Sequence, residues 1–115
     1  MIVVDQTSPT APFDQIRGQI ADLIRSGELA ATTRLPSIRQ LAGDLGVAPG
    51  TVARAYGQLE TAGLIVVTRS GARVGTGLQL DVDFRNAARS FVDAARSRSL
   101  TIEDALGTIR ASWNP

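Results

Sequence analysis

Every cation in this chain is a guanidinium: the 12 basic residues are all arginine, and lysine, histidine and cysteine are absent. The missing types exclude much chemistry. Without Cys or His there are no disulfides, thiolate nucleophiles, imidazole bases, Ser-His-Asp triads or usual zinc ligand sets, so no catalytic residue, metal site or cofactor is expected. Carboxylates could pair as Asp44 with Glu60 or Glu103 with Asp104. The first pair falls on different predicted helices, and the second occupies a helix first turn, where acids are expected anyway. What arginine does well is grip phosphates and the acceptor edge of guanine through a planar fork of donors. Between residues 34 and 73, Arg34, Arg39, Arg54, Arg69 and Arg73 face only Asp44 and Glu60, a local charge of +3 where the whole chain carries +1. Charge alone leaves two readings of this stripe open, the codon usage of GC-rich DNA or a phosphate-seeking surface.

The elements that must hold these arginines come from a chain of 115 residues, 43% hydrophobic and 20% charged, enough for one small globular domain with a short accessory element. The N-terminal stretch MIVVDQTSPTAP is too polar for a signal peptide, and no apolar run approaches a membrane span. A cytoplasmic protein with no membrane partner is expected.

After a β-branched start at Ile2 to Val4 and a proline-bearing connector, Phe13, Ile16, Ile20, Leu23 and Ile24 recur at helical spacing and predict a helix over about 13–26. Ser37 followed at the third position by Gln40 is a capping-box pattern and opens a second helix, with Ile38, Leu41, Ala42 and Leu45 facing inward. Gly46 suits its left-handed C-terminal cap, and Pro49 suits the first turn of a third helix over about 49–62. Two helices joined by so short a turn cross steeply, as in a helix-turn-helix.

On the third helix, Val52, Ala55, Tyr56, Leu59 and Ala62 share one arc, and Gly50, Arg54, Gly57 and Thr61 lie opposite, flanked by Ala53. A solvated face ordinarily carries long charged side chains. This one is small residues around a single Arg, and Gly57 in mid-helix gives up roughly 1 kcal/mol relative to Ala. Close approach to another surface would explain both facts; tolerated drift on an unimportant face is the alternative.

Residues 64–69 and 72–74 read as two strands around a Ser70-Gly71 turn, with Arg69 and Arg73 on either side. Helix-turn-helix plus hairpin makes a winged helix, whose wing usually meets the DNA backbone or minor groove. The expected fold is mainly α with this small β-hairpin: a winged helix-turn-helix over 1–77, then a two-helix tail over 78–115. In the tail, Phe84, Ala88, Phe91 and Val92 lie at helical spacing, and Thr101 with Asp104 caps a last helix bearing Ile102, Leu106, Ile109 and Trp113. Helices this short cannot form a core alone, so they must pack on the winged helix or on a partner chain; because a helix-turn-helix reading a two-fold operator needs a second copy, these eight residues are the expected dimer interface.

The residues Gly27-Glu28-Leu29, Arg34-Leu35-Pro36-Ser37-Ile38-Arg39-Gln40-Leu41-Ala42, Leu45-Gly46-Val47, Thr51-Val52, Arg54-Ala55-Tyr56, Leu59-Glu60 and Gly63-Leu64-Ile65 resemble the DNA-binding domain of GntR-family transcription regulators. The resemblance covers about residues 12–77. The 38 residues from Leu78 resemble the short tail of the YtrA-type subfamily, which serves dimerisation in regulators that often act on neighbouring transporter genes. It implies DNA-contacting roles for Arg39, for Thr51 and Arg54 on the recognition helix, and for the wing at Ser70 and Gly71. Many relatives carry a polar residue and an Arg where Ala48 and Pro49 stand here, and a Gly-Thr-aromatic-Val wing signature where this chain has Gly71-Ala72-Arg73-Val74. The expected set of DNA contacts is Arg39, Gly50, Thr51, Arg54, Tyr56, Arg69, Ser70, Gly71 and Arg73, with Arg54 reading bases and Arg39, Tyr56, Arg69 and Arg73 holding the backbone. The expected partners are double-stranded DNA and a second copy of the chain, in a homodimeric repressor. The rival function is a winged-helix protein-interaction module in which the Arg54 face docks an acidic partner.

Overall fold

The computed structural model describes residues 2–114. In chain order it has α1 (Pro12–Arg25), α2 (Ile38–Leu45), α3 (Pro49–Thr61), β1 (Ile65–Thr68), β2 (Gly71–Val74), α4 (Val82–Ser97) and α5 (Ile102–Trp113). The mainly helical architecture with one antiparallel hairpin is the one expected. The chain divides into two compact units, one ending at Gln79 and the other beginning at Leu80. No helix among the described residues is long and apolar enough to cross a membrane.

In the first unit the core is built from helical stripes. Ile16, Ile20 and Ile24 of α1, Leu41 and Ala42 of α2, and Val52, Ala55, Tyr56 and Leu59 of α3 are buried, joined by Leu35, Ile65, Ala72 and Val74. Burying an Ile or Leu side chain is worth about 1.5–3 kcal/mol, which is what holds three short helices that would be marginal alone. Ala62, expected on the buried arc of α3, instead lies just past the helix as its exposed C-cap.

Both ends of α2 are closed by local chemistry. The Gln40 N–H donates to Ser37 Oγ at 3.1 Å. Gly46 takes the left-handed conformation, with φ of 68°, where a side chain would cost roughly 1–2 kcal/mol. Helix α3 starts only three residues later, on Pro49, and its N-cap Ala48 makes no side-chain hydrogen bond.

Two features were not legible from the pattern. The first is a strap: Gln19 exchanges hydrogen bonds with the backbone of Val3 at 2.9 and 2.7 Å, and Gln15 does the same with Asp5 at 2.8 and 2.9 Å, laying the N-terminal segment along α1. The second is a third strip beside the hairpin. Residues 32–35 pair with the free edge of β2 through Thr32 N–H to Val74 O, Val74 N–H to Thr33 O and Leu35 N–H to Ala72 O, each 2.9 Å. Thus β2 is central, bonded to β1 on one side and to this strip on the other.

The register Thr68↔Gly71 makes Arg69-Ser70 the two-residue turn, one position earlier than the Ser70-Gly71 turn expected. Thr68 explains the shift: its Oγ1 accepts from the Ser70 N–H at 3.3 Å and lies 2.9 Å from Ser70 Oγ, and Gly71, with φ of 117°, begins the return strand.

In the second unit, α4 is capped by Asp81, whose carboxylate accepts from the Phe84 N–H at 2.9 Å. Helix α5 has the expected capping box in full: Asp104 N–H donates to Thr101 Oγ1 at 3.2 Å and Thr101 N–H donates to Asp104 Oδ2 at 2.9 Å. Neither helix carries a buried residue. Phe84, Ile102 and Trp113 are 58%, 72% and 78% exposed, which leaves their apolar faces without cover inside this unit.

Candidate nucleic-acid interface

The outward face of α3 is as bare as the wheel suggested. Gly50, Ala53, Arg54, Gly57 and Thr61 are all exposed, Thr51 is half-buried, and a β-carbon built on Gly50 or Gly57 would meet nothing within 4 Å. Arg54 forms no ion pair among the described residues; its guanidinium carbon sits 3.7 Å from the centre of the Phe13 ring. That stack joins the start of α1 to the middle of α3, and the residue pattern gave no signal for it.

Arg39, the second residue of α2, is exposed beside the capped helix N-terminus, where backbone N–H groups and the helix dipole favour an anion. A cleft of about 290 Å³ lined by Ser37, Ile38, Arg39, Val67, Gly71 and Ala72, among others, runs between it and the hairpin. Arg39 and the wing therefore border one groove. Arg69 stands at the exposed hairpin tip, next to Ser70.

Arg73 is placed differently from the sequence expectation. Opposite Val66 and near the hairpin root, it donates from Nη1 to the Thr32 carbonyl at 3.1 Å. Arg34, outside the expected set, is bridged to Arg73 across the third strip, and its Nη2 lies 3.5 Å from where a Gly71 β-carbon would be. Its membership of the arginine stripe was the available signal. Gly71 thus combines a positive φ with a guanidinium packed over it.

Tyr56 is a core residue, 4% exposed, and its hydroxyl donates to the Pro36 carbonyl at 2.8 Å, tying the approach to α2 onto α3. With its single proton so engaged, the hydroxyl has none left to donate to the phosphate it was expected to hold. Burial pushes the phenol up from 10.0 to about 12. The folded state thus favours the neutral form, so this contribution to stability is complete below pH 10 and is lost as pH rises toward 12. The chain has one Tyr and no Lys or Cys, so tyrosinate absorbance should report this group alone, titrating near 12 when folded and near 10 in denaturant. Tyr56→Phe should flatten the alkaline fall in stability while losing about 1 kcal/mol with the hydrogen bond. Titration near 10 in the folded protein would contradict the enclosure described.

A helix-turn-helix with an arginine-bearing hairpin is the geometry against which relatives can be weighed. The model of the gntR family of bacterial regulatory proteins matches residues 12–74, from the first residue of α1 to the last of β2. The chain belongs to the GntR family. It is 46% identical over 107 residues to the HTH-type transcriptional regulator Rv1152 of Mycobacterium tuberculosis, covering 90% of this chain and 86% of that protein. It is 38% identical over 69 residues to the HTH-type transcriptional repressor YtrA of Bacillus subtilis, spanning 60% of this chain and about half, 53%, of that relative. Among solved structures, YtrA from Sulfolobus acidocaldarius, a GntR-family transcription factor, is similar with a TM-score of 0.62 and 40% identity, over 84% of this chain and 97% of that one. The chain is accordingly a DNA-binding transcriptional regulator with a winged helix, in a family of regulators and not of enzymes, and its similarity extends to YtrA-type members. Ala48 leaves α3 without a side-chain N-cap, and Ala72 is buried within the wing sheet while Arg73 faces out.

Proposed function

We propose that this GntR-family regulator is a cytoplasmic homodimeric repressor that reads a two-fold operator, with α3 in the major groove and the hairpin along the flanking backbone. The observation that carries the reading is the α3 face: glycine and alanine around one exposed arginine, in a unit where Arg39 and Arg69 are exposed as well. A face this low lets a helix backbone approach base edges, and an Arg fork can take both acceptors of a guanine. Arg54 is the base-reading residue, Gly50 and Thr51 line its approach, and Arg39, Arg69, Ser70, Gly71 and Arg73 hold phosphates. The repressor sense is supported by the Bacillus relative's name, and the resemblance to YtrA-type regulators points to transporter genes as targets. The exposed faces of α4 and α5, including Phe84, Ala88, Phe91, Val92, Ile102, Leu106, Ile109 and Trp113, supply an apolar surface for the second copy.

Selection of bound DNA from a random pool tests function and symmetry together. The expected outcome is an inverted repeat with half-sites about one helical turn apart. Recovery of unrelated sequences at background frequency would reject sequence-specific reading and favour a protein-docking role for the same face. On the selected operator, contact with two or three phosphates per subunit predicts that log affinity falls with log salt at a slope of about −4 to −5. A flat salt response in a titration by fluorescence anisotropy would count against the whole arrangement.

A further inference from the structure

We propose that Phe13 is a positioning residue for DNA recognition: its ring is the platform that holds the Arg54 guanidinium in the orientation in which it meets DNA. This rests on the reading of Arg54 as a DNA contact. Of its four neighbours along α3, Gly50 and Gly57 have no side chains, and Thr51 and Gln58 make no hydrogen bond to it among the described residues. No carboxylate pairs with it among the described residues. The acid next to Phe13, Asp14, is held by Arg17 Nε at 2.7 Å. What remains is the stack on Phe13, at 3.7 Å.

The platform is itself fixed. Pro12 occupies the start of α1, and Ile16, three residues beyond Phe13, is fully buried, so α1 cannot rotate to carry the ring away. Stacking also differs from a salt bridge in what it leaves free. It occupies the face of the guanidinium and leaves the in-plane N–H donors pointing outward, available to a guanine edge or a phosphate. Arginine that is already oriented loses less freedom on binding, which raises affinity and narrows the positions it can read.

The test is a double-mutant cycle on the selected operator using the full chain. Phe13→Ala should weaken binding about two- to fivefold, the range expected of an exposed cation–π contact. In an Arg54→Ala background the same change should have no further effect. Phe13→Trp should bind at least as tightly as the parent, whereas Phe13→Leu, which keeps apolar bulk without the ring, should behave like Phe13→Ala. At the base position relaxed by Arg54→Ala, Phe13→Ala should relax preference partway and leave other positions alone. In the free protein, the upfield ring-current shift of the Arg54 side-chain protons should vanish in Phe13→Leu, with the melting temperature recording that the fold survives. An equal loss from Phe13→Ala with and without Arg54, or parental binding by Phe13→Leu, overturns the platform while leaving Arg54 as a contact. If Arg54→Ala changes neither affinity nor preference, the reading of Arg54 itself fails and the platform falls with it.

Discussion

Arg54→Ala is expected to weaken operator binding by roughly 1–3 kcal/mol, about ten- to a hundredfold, and to relax preference at one base position per half-site. The side chain is exposed and its departure opens no cavity, so the melting temperature should change little. Arg69→Ala, at the hairpin tip, should instead weaken all sequences about equally and make the salt slope shallower. The contrast carries the argument. A base-reading residue changes the ranking of operator variants, whereas a phosphate-holding residue changes only the scale. If both substitutions shift a panel of operator variants in parallel, the division of labour between α3 and the wing is refuted.

Removing the tail should have a larger effect still. A chain ending at Gln79 is expected to sediment as a folded monomer and to bind the full operator about a hundredfold or more weaker, because the second half-site no longer benefits from tethering. The cut belongs after Gln79 and not after Gly77. Leu78 packs against the core of the first unit, with its Cδ1 3.0 Å from where a Gly75 β-carbon would stand, so a shorter chain would lose part of the winged helix as well. A truncated chain that still dimerises in equilibrium sedimentation would move the interface off α4 and α5.

Leu78 also marks where sequence reading ends. A single leucine after a glycine-rich hinge looks like the start of the tail, and only its tertiary neighbours show that it belongs to the preceding core. Elements whose boundaries depend on nearby residues were legible: Ser37 and Gly46 bracket α2 and Thr101 with Asp104 opens α5 through bonds within a few residues, and Pro49 opens α3 through its fixed φ. The strip at 32–35 has no such signal, since its partners lie in β2, with Thr32 and Arg73 separated by 41 residues. The exposed face of α3 followed from helical periodicity alone. The ring beneath Arg54 did not, because it depends on how α1 docks on α3. The position of Tyr56 on the wheel puts it among Val52, Ala55 and Leu59 while its hydroxyl calls for a polar partner, and that partner is a carbonyl of the same chain.

The central place of β2 bears on the route by which the chain acquires its shape. Helices close their bonds within one turn, but the outer ladder of β2 must join stretches about forty residues apart, and that closure is repaid only after α1 to α3 have gathered. The strip at 32–35 is therefore expected to dock last during folding, and a polypeptide caught beforehand would possess its recognition helix and local hairpin while Arg73 still lacked its hold on the Thr32 carbonyl.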